Sequence, residues 1–499
     1  MAKASRTKPR IIFNTDGDST TLTHFEPPIT PQQLCRPLDE VAGTQVDVFI
    51  HCLNRGDDTY SHRTGIGDVF GADESSWPPG PRLELFKRMA ANTRAILDRG
   101  LDPIAVLAER ARQHGIAFWA GLRMNDIHED DSRRFAPLRS PFKMRHPELV
   151  IGSPYPDPRQ GYPQDDFTWA YDYAHPQVRD RRLAIIEEAC GRYDLDGFEL
   201  DFQRGPWFFK PGCQTQGMPL MTEFVRRVRR AVNAIAERRG RPITLAYRIP
   251  PTIGLARAKG LDVETWISEG LADVFVPMDG GYLDTSVDLV PFRELARASG
   301  CLIAGGIEPA VKGYGGRATI ETLRAAAAAL HHQGAQAIYL FNYDCHRAAG
   351  RDNPYTDWEL EALRQIGDPQ SLVAKDKHYL ITRDTSDLTV ERGGTKPLPV
   401  EVAPGESRTF RMVVADDLEY ARRRDTVEQI RLNLTLAEEE AYERLELGVN
   451  GKEVPVGRKG VYEEVPIRQG TNELCVSSSA ERTVRIDGIE LFIRFRRGI

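Results

Sequence analysis

The chain has 499 residues, 41% hydrophobic and 28% charged, and Lys+Arg 66 against Asp+Glu 72 gives a net charge of -6. That is ample material for a core and excludes wholesale disorder, while the mild acidic balance argues against a general nucleic-acid binder. No apolar run of about 18 residues exists to span a membrane, and seven scattered cysteines without a Cys-x-x-Cys pair argue against a disulfide framework or a zinc site.

Met1–Arg10 is basic, but Ile11-Ile-Phe13 behind it is too short for the core of a secretory signal, so a cytoplasmic location is expected unless a leader has been removed. From Ile11 onward, short β-rich apolar runs alternate with helical patterns. The first two strands are predicted at Ile11–Asn14 and Val46–Cys52, followed by helices at Arg82–Arg99 and Pro103–His114. A third strand, Ile116–Arg123, leads to a helix at Pro176–Arg192, and a fourth, Leu195–Phe202, to one at Met221–Arg239. The fifth and sixth strands, Ile243–Ile249 and Asp273–Met278, precede helices at Val263–Gly270 and Leu289–Ser299. Cys301–Ile307, a helix at Ile320–Gln333, Ala337–Asp344 and a last helix at Asp357–Ile366 complete the series. Glycines at His114-Gly115, Arg239-Gly240 and Ser299-Gly300 mark helix ends.

Eight strands that are mostly unbroken in hydrophobicity and nearly all followed by a helix predict a (β/α)8 TIM barrel over residues 1–370. A doubly wound sheet fits less well, because no Gly-x-Gly-x-x-Gly follows the first strand. From residue 371 to 499 the period changes to alternation, at Leu398–Val402, Thr409–Val414, Gln429–Leu434, Leu445–Val449, Tyr462–Pro466, Glu473–Val476 and Thr483–Phe495. Turn residues separate these runs, Asn450-Gly451 being a strong hairpin signal, and predict an all-β sandwich that packs on the barrel or binds carbohydrate weakly.

Two βα connections are long, Leu53 to Pro81 and Asn125 to His175, and such loops build the active face of a barrel. The first carries Asn54, Arg55, Tyr60 and His62 just after His51; the second carries His128, Tyr155, Tyr162 and Trp169. Polar aromatic loops there suit a polar, ring-shaped ligand.

The fourth strand is the most informative. Residues two apart share a face, so Phe198, Leu200 and Phe202 point to the helices while Gly197, Glu199, Asp201 and Gln203 line the interior. Asp201 then lies nearest the C-terminal mouth and Glu199 one layer below it. Other strand ends add Asp16, Arg123 with Asn125, Tyr247 with Arg248, Asp279, Glu308, and Asn342 with Asp344. Gly305 and Gly306 are expected to leave room beside Glu308 for a ligand. Carboxylates converging from several strands are what glycosidic hydrolysis needs: one acid protonates the leaving oxygen while a second carboxylate attacks the anomeric carbon or activates water. Asp201 or Glu199 with Glu308 across the barrel would supply them. Arginines at strand ends hint at an anionic sugar, or simply neutralise the acids. Trp207, Phe208, Tyr282 and Tyr314 follow strand ends and are candidates for stacking on sugar rings.

Tyr173-Ala-His-Pro-Gln-Val-Arg179 followed by Tyr193-Asp-Leu-Asp-Gly-Phe-Glu-Leu-Asp201 resembles the bacterial glycosyl-hydrolase-like TIM barrels, which carry Asn-Pro-x-Val-Arg before a Tyr-x-x-Asp-Gly-x-x-x-Asp strand four. His175 replaces the Asn, Val276-Pro-Met278 resembles the group's strand-six ending, and Asp201 matches its strand-four acid. The segment is also similar to the chitinase Asp-Gly-x-Asp-x-Asp-x-Glu motif, but Gln203 stands where that motif has its acid, so Glu308 would have to supply the missing group.

The resemblance implies a glycoside hydrolase on a poly- or oligosaccharide, without a cofactor or metal. Asp201, Glu308 and Glu199 are the candidate catalytic residues. Candidate substrate-binding residues are Asp279, Arg123, Arg248, Tyr247, His51, Asn54, Asn125, Trp207, Tyr282, Asn342, Asp344 and Asp16. A homo-oligomer is compatible with the sequence; a nucleic-acid or membrane partner is not expected. Two alternatives stay open: a non-catalytic carbohydrate-binding barrel, and a barrel enzyme on a phosphorylated or metal-bound substrate.

Overall fold

The computed structural model describes residues 8–17, 21–126, 136–138, 140–152, 166–350, 353–383, 397–438, 442, 444–455, 459–479 and 482–496. Eight parallel strands form the first unit: β1 (Ile11–Thr15), β2 (Val46–Cys52), β3 (Ala117–Arg123), β4 (Gly197–Asp201), β5 (Thr244–Ile249), β6 (Val274–Pro277), β7 in two halves (Leu302–Ile303 and Gly305–Ile307) and β8 (Ile338–Phe341). Pairing runs in chain order from β1 to β6, and β8 pairs back onto β1. The ring closes through β7, whose first half bonds to β6 and whose second half bonds to β8, with the switch at Ala304. The protein is therefore a closed TIM barrel.

Its helices include α1 (Pro31–Val41), α2 (Leu83–Asp98), α3 (Pro103–His114), α4 (Pro176–Arg192), α5 (Gln214–Arg239), α6 (Val263–Ser268), α7 (Val290–Ser299), α8 (Ile320–His332) and α9 (Asp357–Leu363), with short turns of helix at Pro141–Arg145 and Ile253–Ala258. Sequence pattern does not predict α1. Its start is well signalled, by a Thr30–Gln33 capping box with Pro31 in the first turn, but Pro37 interrupts the helical pattern. Pro219 likewise hides the first turns of α5, which begins at Gln214 instead of Met221.

Strand alternation sorts the apolar residues into two layers. Phe13, Phe49, Phe118, Leu200, Tyr247 and Phe275 belong to the large core between strands and helices. Ile12, Val48, Ile50, Trp119, Ala246, Val276, Met278, Tyr339 and Phe341 fill the barrel itself.

The C-terminal part is a sandwich of two antiparallel sheets. Its strands are β9 (Lys377–Leu380), β10 (Val400–Val402), β11 (Ser407–Val414), β12 (Val427–Leu436), β13 (Leu445–Val449), β14 (Lys452–Val454), β15 (Val461–Glu463), β16 (Gly470–Ser478) and β17 (Val484–Phe495). One sheet runs β9-β17-β12-β15 with β10 on β17, and the other β11-β16-β13-β14. The β13–β14 hairpin turns at Asn450-Gly451, both at positive φ, as a two-residue hairpin turn requires. Val402, Ile430, Leu432, Val449, Leu474, Val476 and Leu491 are among the residues of its own core. The sandwich docks through β9 on α8, with Tyr314 donating from its hydroxyl to Ile381 O (2.9 Å) and accepting from Ile489 N (3.2 Å). Tyr314 is thus a bridge between the two units instead of a stacking residue. No helix among the described residues is long and apolar enough to cross a membrane.

Candidate active site

The interior face of β4 is built against β3 by exchanging large for small. Gly197 pairs with Trp119, Glu199 with Gly121 and Asp201 with Arg123. A Cβ on Gly197 would lie 2.6 Å from the Trp119 ring, and one on Gly121 would lie 3.1 Å from Glu199 Oε2. Each glycine is therefore a volume requirement of its neighbour. Successive layers, from the bottom, hold Trp119, then Glu199, then Asp201 with Arg123.

Glu199 is enclosed in the middle layer. Asn14 Nδ2 on β1 donates to its Oε2 at 2.8 Å, and the Tyr339 hydroxyl on β8 lies 2.6 Å from its Oε1. Burial, reinforced by the charge of Asp201, pushes its carboxyl up to about 8, so it is protonated at neutral pH. The same burial, with Glu199 beside it, raises the Tyr339 phenol well above its usual range.

Asp201, one layer higher, is heavily bonded. Arg248 Nε and Nη2 on β5 reach Oδ1 and Oδ2 at 2.9 and 2.8 Å, a bidentate pair. The backbone N–H groups of Gln203 (2.9 Å) and Arg204 (3.0 Å) add two donors to Oδ1. The guanidinium also lies 3.7 Å over the Phe341 ring. Arg248 resists deprotonation: burial lowers its pKa, but Asp201, Tyr339 and Glu199 together raise it above the usual arginine value. Arg123 is held the same way by Asp16 and by Asp126 at 2.9 Å. Both arginines are occupied in neutralising acids, the blander of the two readings of the sequence.

The ends of β6 to β8 complete the mouth. Asp279 accepts from Gly280 N (2.5 Å) and from the Tyr282 hydroxyl (2.9 Å), which makes Tyr282 a buried positioning group for that acid. Glu308 is 3% exposed; its Oε1 lies 2.9 Å from His346 Nε2, while Oε2 is buried with no hydrogen-bond partner among the described residues. Asn342 sits at φ 51° with its buried Oδ1 equally unpartnered, and Asp344 is buried beside it. Gly305 and Gly306 do not open a path to Glu308. Added Cβ atoms would meet Leu330 at 2.8 Å and Met278 at 2.5 Å, so both glycines serve packing.

Several predicted site residues lie elsewhere. Tyr247 points outward: its hydroxyl donates to Leu271 O (2.9 Å) and its ring packs on Phe202, Trp266 and Phe275. His51 also faces the helices, next to Phe118. Adjacent strand residues face opposite ways, so Arg248 and Ile50 took the inward positions. Asn54 and Asn125 are buried clamps: Asn54 Oδ1 accepts from Arg123 N (3.0 Å), and Asn125 Oδ1 from Tyr171 N (2.9 Å) while its Nδ2 donates to Trp207 O (2.5 Å). Trp207 is half-buried, with Lys259 Nζ 5.0 Å from its ring centroid. His128, Tyr155 and Tyr162 lie outside the described residues.

Sequence reasoning missed a buried ionic network under the β2 and β3 loops. Asp57 and Asp58 are both fully buried. Asp57 pairs with Lys143 and with Arg182 (2.5 Å); Asp58 pairs with Arg181 (2.9 Å) and accepts from Ser140 (2.9 Å) and the Tyr171 hydroxyl. Burial raises Asp57, whereas at Asp58 burial is outweighed by Arg182, Arg181 and the Tyr171 hydroxyl together, and the net effect lowers it. The Asp57-Asp58 doublet and Arg181-Arg182 on α4 were the available signal, but nothing in the linear pattern joins them. Among the described residues no group of three or more His, Cys, Asp or Glu is arranged to hold a metal ion.

No family model matches the chain, and no curated protein does. Among solved structures it is similar to an alpha-L-fucosidase isoenzyme 2 from Paenibacillus thiaminolyticus (13% identity, TM-score 0.43, 72% of this chain and 49% of that one). It is also similar to the PgaB (BpsB) glycoside hydrolase domain from Bordetella bronchiseptica (12%, 0.44, 72% and 99%). A third is an alpha-galactosidase from Thermus thermophilus (17%, 0.39, 72% and 65%). The chain spans about half the length of the fucosidase. These neighbours are glycoside hydrolases; at such identities no residue correspondence follows, and the reading of the site rests on its own geometry.

Proposed function

We propose that the protein hydrolyses a glycosidic bond at the C-terminal mouth of the barrel, with Glu308 as the proton-transferring acid and Asp201 as the fixed carboxylate. The observation that carries this reading is the state of Glu308: a buried carboxyl with one oxygen on His346 and the other without a hydrogen-bond partner among the described residues. In this reading that oxygen protonates the leaving group and later takes a proton from water. Asp201, on the strand across the ring, is fixed by its bidentate pair with Arg248, and a carboxylate held there favours the oxocarbenium-like transition state, by direct attack or electrostatically. Glu199 is a neutral brace below it and leaves the catalytic set. Asp279, Asn342 and Asp344 would orient sugar hydroxyls.

Glu308→Gln tests this on a panel of polysaccharides and aryl glycosides. With poor leaving groups kcat should fall about 10²–10⁴-fold. Aryl glycosides whose phenolate leaves unaided should lose far less. Equal losses on both classes would remove Glu308 from the role of acid.

One observation favours a second reading. Oδ1 of Asp201 already accepts three hydrogen bonds and Oδ2 one, as a structural anchor would. A carbohydrate-binding barrel without turnover fits that saturation. Sugar binding by wild-type protein that releases no product from any member of the panel would establish it.

A further inference from the structure

The polar groups of the mouth divide into two halves. On the β1–β3 side they are tied to one another: Arg123 to Asp16 and Asp126, Asn54 to the Arg123 backbone, Asn125 to the Tyr171 backbone. On the β4–β8 side, buried atoms without hydrogen-bond partners among the described residues accumulate: both amide atoms of Gln203, Nη1 of Arg248, Oε2 of Glu308 and Oδ1 of Asn342. A buried donor or acceptor left unmatched costs about 1–3 kcal/mol, so each of these atoms at the mouth is a place to receive a polar group of a ligand.

Two of these groups share a boundary. Gln203 is 1% exposed and Arg248 0% exposed. A Cβ placed on Gly280, just beyond β6, would stand 3.9 Å from Gln203 Cγ and 3.8 Å from Arg248 Nη1. The bare face of Gly280 therefore borders both side chains, and a methyl group fits there at ordinary contact distance.

We propose that Gln203, Arg248 Nη1 and the bare face of Gly280 form a subsite for two neighbouring hydroxyls of a neutral sugar, and that Gln203 determines which sugar is accepted. The substrate class rests on the hydrolase reading above. A primary amide offers an acceptor and a donor side by side, which matches a vicinal diol in which one hydroxyl donates and the other accepts. Arg248 adds a second donor. Its charge is already balanced by Asp201, and Asp279 and Glu308 stand at the ends of β6 and β7, so Arg248 has no unbalanced charge to offer a sugar carboxylate. The neutral sugar replaces the anionic one that the arginines of the sequence suggested.

The test uses the full chain and methyl glycosides of glucose, galactose, mannose and glucuronate as probes, with binding read by calorimetry and turnover read separately on the matching aryl glycosides. Wild-type protein should bind at least one neutral glycoside and bind glucuronate more weakly. Gln203→Leu should weaken that neutral ligand about tenfold or more, the worth of a lost pair of hydrogen bonds at a buried site. Gly280→Ala, which adds one methyl group and removes no bond, should weaken it as well, and serves if the leucine variant does not fold. Unchanged affinity in either folded variant, tighter binding of glucuronate, or no binding of any probe by wild type would each overturn the subsite. Binding without turnover would instead sink the hydrolase and leave the subsite standing. Turnover with kcat and KM unchanged in Gln203→Leu would do the reverse.

Discussion

At the scale of single residues, the fourth strand shows how far alternation alone carries. It assigns Glu199 and Asp201 inward and Phe198, Leu200 and Phe202 outward, and the structure agrees. The same rule, applied to β2 and β5, separates His51 from Ile50 and Tyr247 from Arg248, so His51 and Tyr247 face the helices and not the mouth. Bond partners are another matter, because Asn14 and Tyr339 reach Glu199 from strands 185 and 140 residues away in the chain. That enclosure has a pH signature. Below about pH 4.5 the carboxyl is protonated in folded and unfolded chains alike; from there to about 8 the unfolded chain releases the proton while the folded chain keeps it. Stability therefore falls as pH rises through that window and levels off above it. Glu199→Gln, which cannot ionise, should match wild type near pH 4.5 and melt a few degrees higher near pH 9. Melting curves at the two pH values check this, and an equal difference at both would show that Glu199 does not carry the proton.

Elements were legible where the pattern was uninterrupted. Helix α3 begins and ends at its Asp102 and Gly115 caps and α4 begins at Pro176, as the sequence predicts, whereas prolines inside α1 and α5 conceal a whole helix and the first turns of another. In the long loops the sequence points to Asn54 as a sugar contact, whereas in the structure Asn54 clamps the Arg123 backbone and Asp57 and Asp58 hold the segment down. Burying two carboxylates is tolerable only while their partners remain. Arg182→Met should cost about 3–5 kcal/mol in urea unfolding, since it leaves Asp57 without its 2.5 Å partner and Asp58 with one fewer cation nearby. Adding Asp57→Asn should recover much of the loss. If Arg182→Met unfolds at the wild-type midpoint, the network is not what fastens these loops.

For the molecule as a whole, the change from helical to alternating period near residue 371 marks a change of architecture, but the sequence does not say how the two parts meet. The joint is specific: Tyr314 bonds to Ile381 and Ile489, and Thr382 N donates to Thr285 Oγ1 at 3.1 Å. Ala325 on α8 belongs to the core of the sandwich. A chain ended at residue 370 would expose that face of α8. It should be recovered mainly in aggregates, and any soluble fraction should melt well below the full chain; a soluble, fully stable truncation would show that the sandwich is only appended.

The split of β7 at Ala304 ties these scales together. A barrel seam made from two short half-strands has few ladder bonds of its own, so its alignment depends on what presses on it from behind. That element is α8, with Leu330 seated behind Gly305, and the sandwich in turn bears on α8 through β9. Glu308 is the next residue after the seam ends. The sandwich thus acts as a buttress whose thrust line runs through one helix to the carboxyl at the mouth.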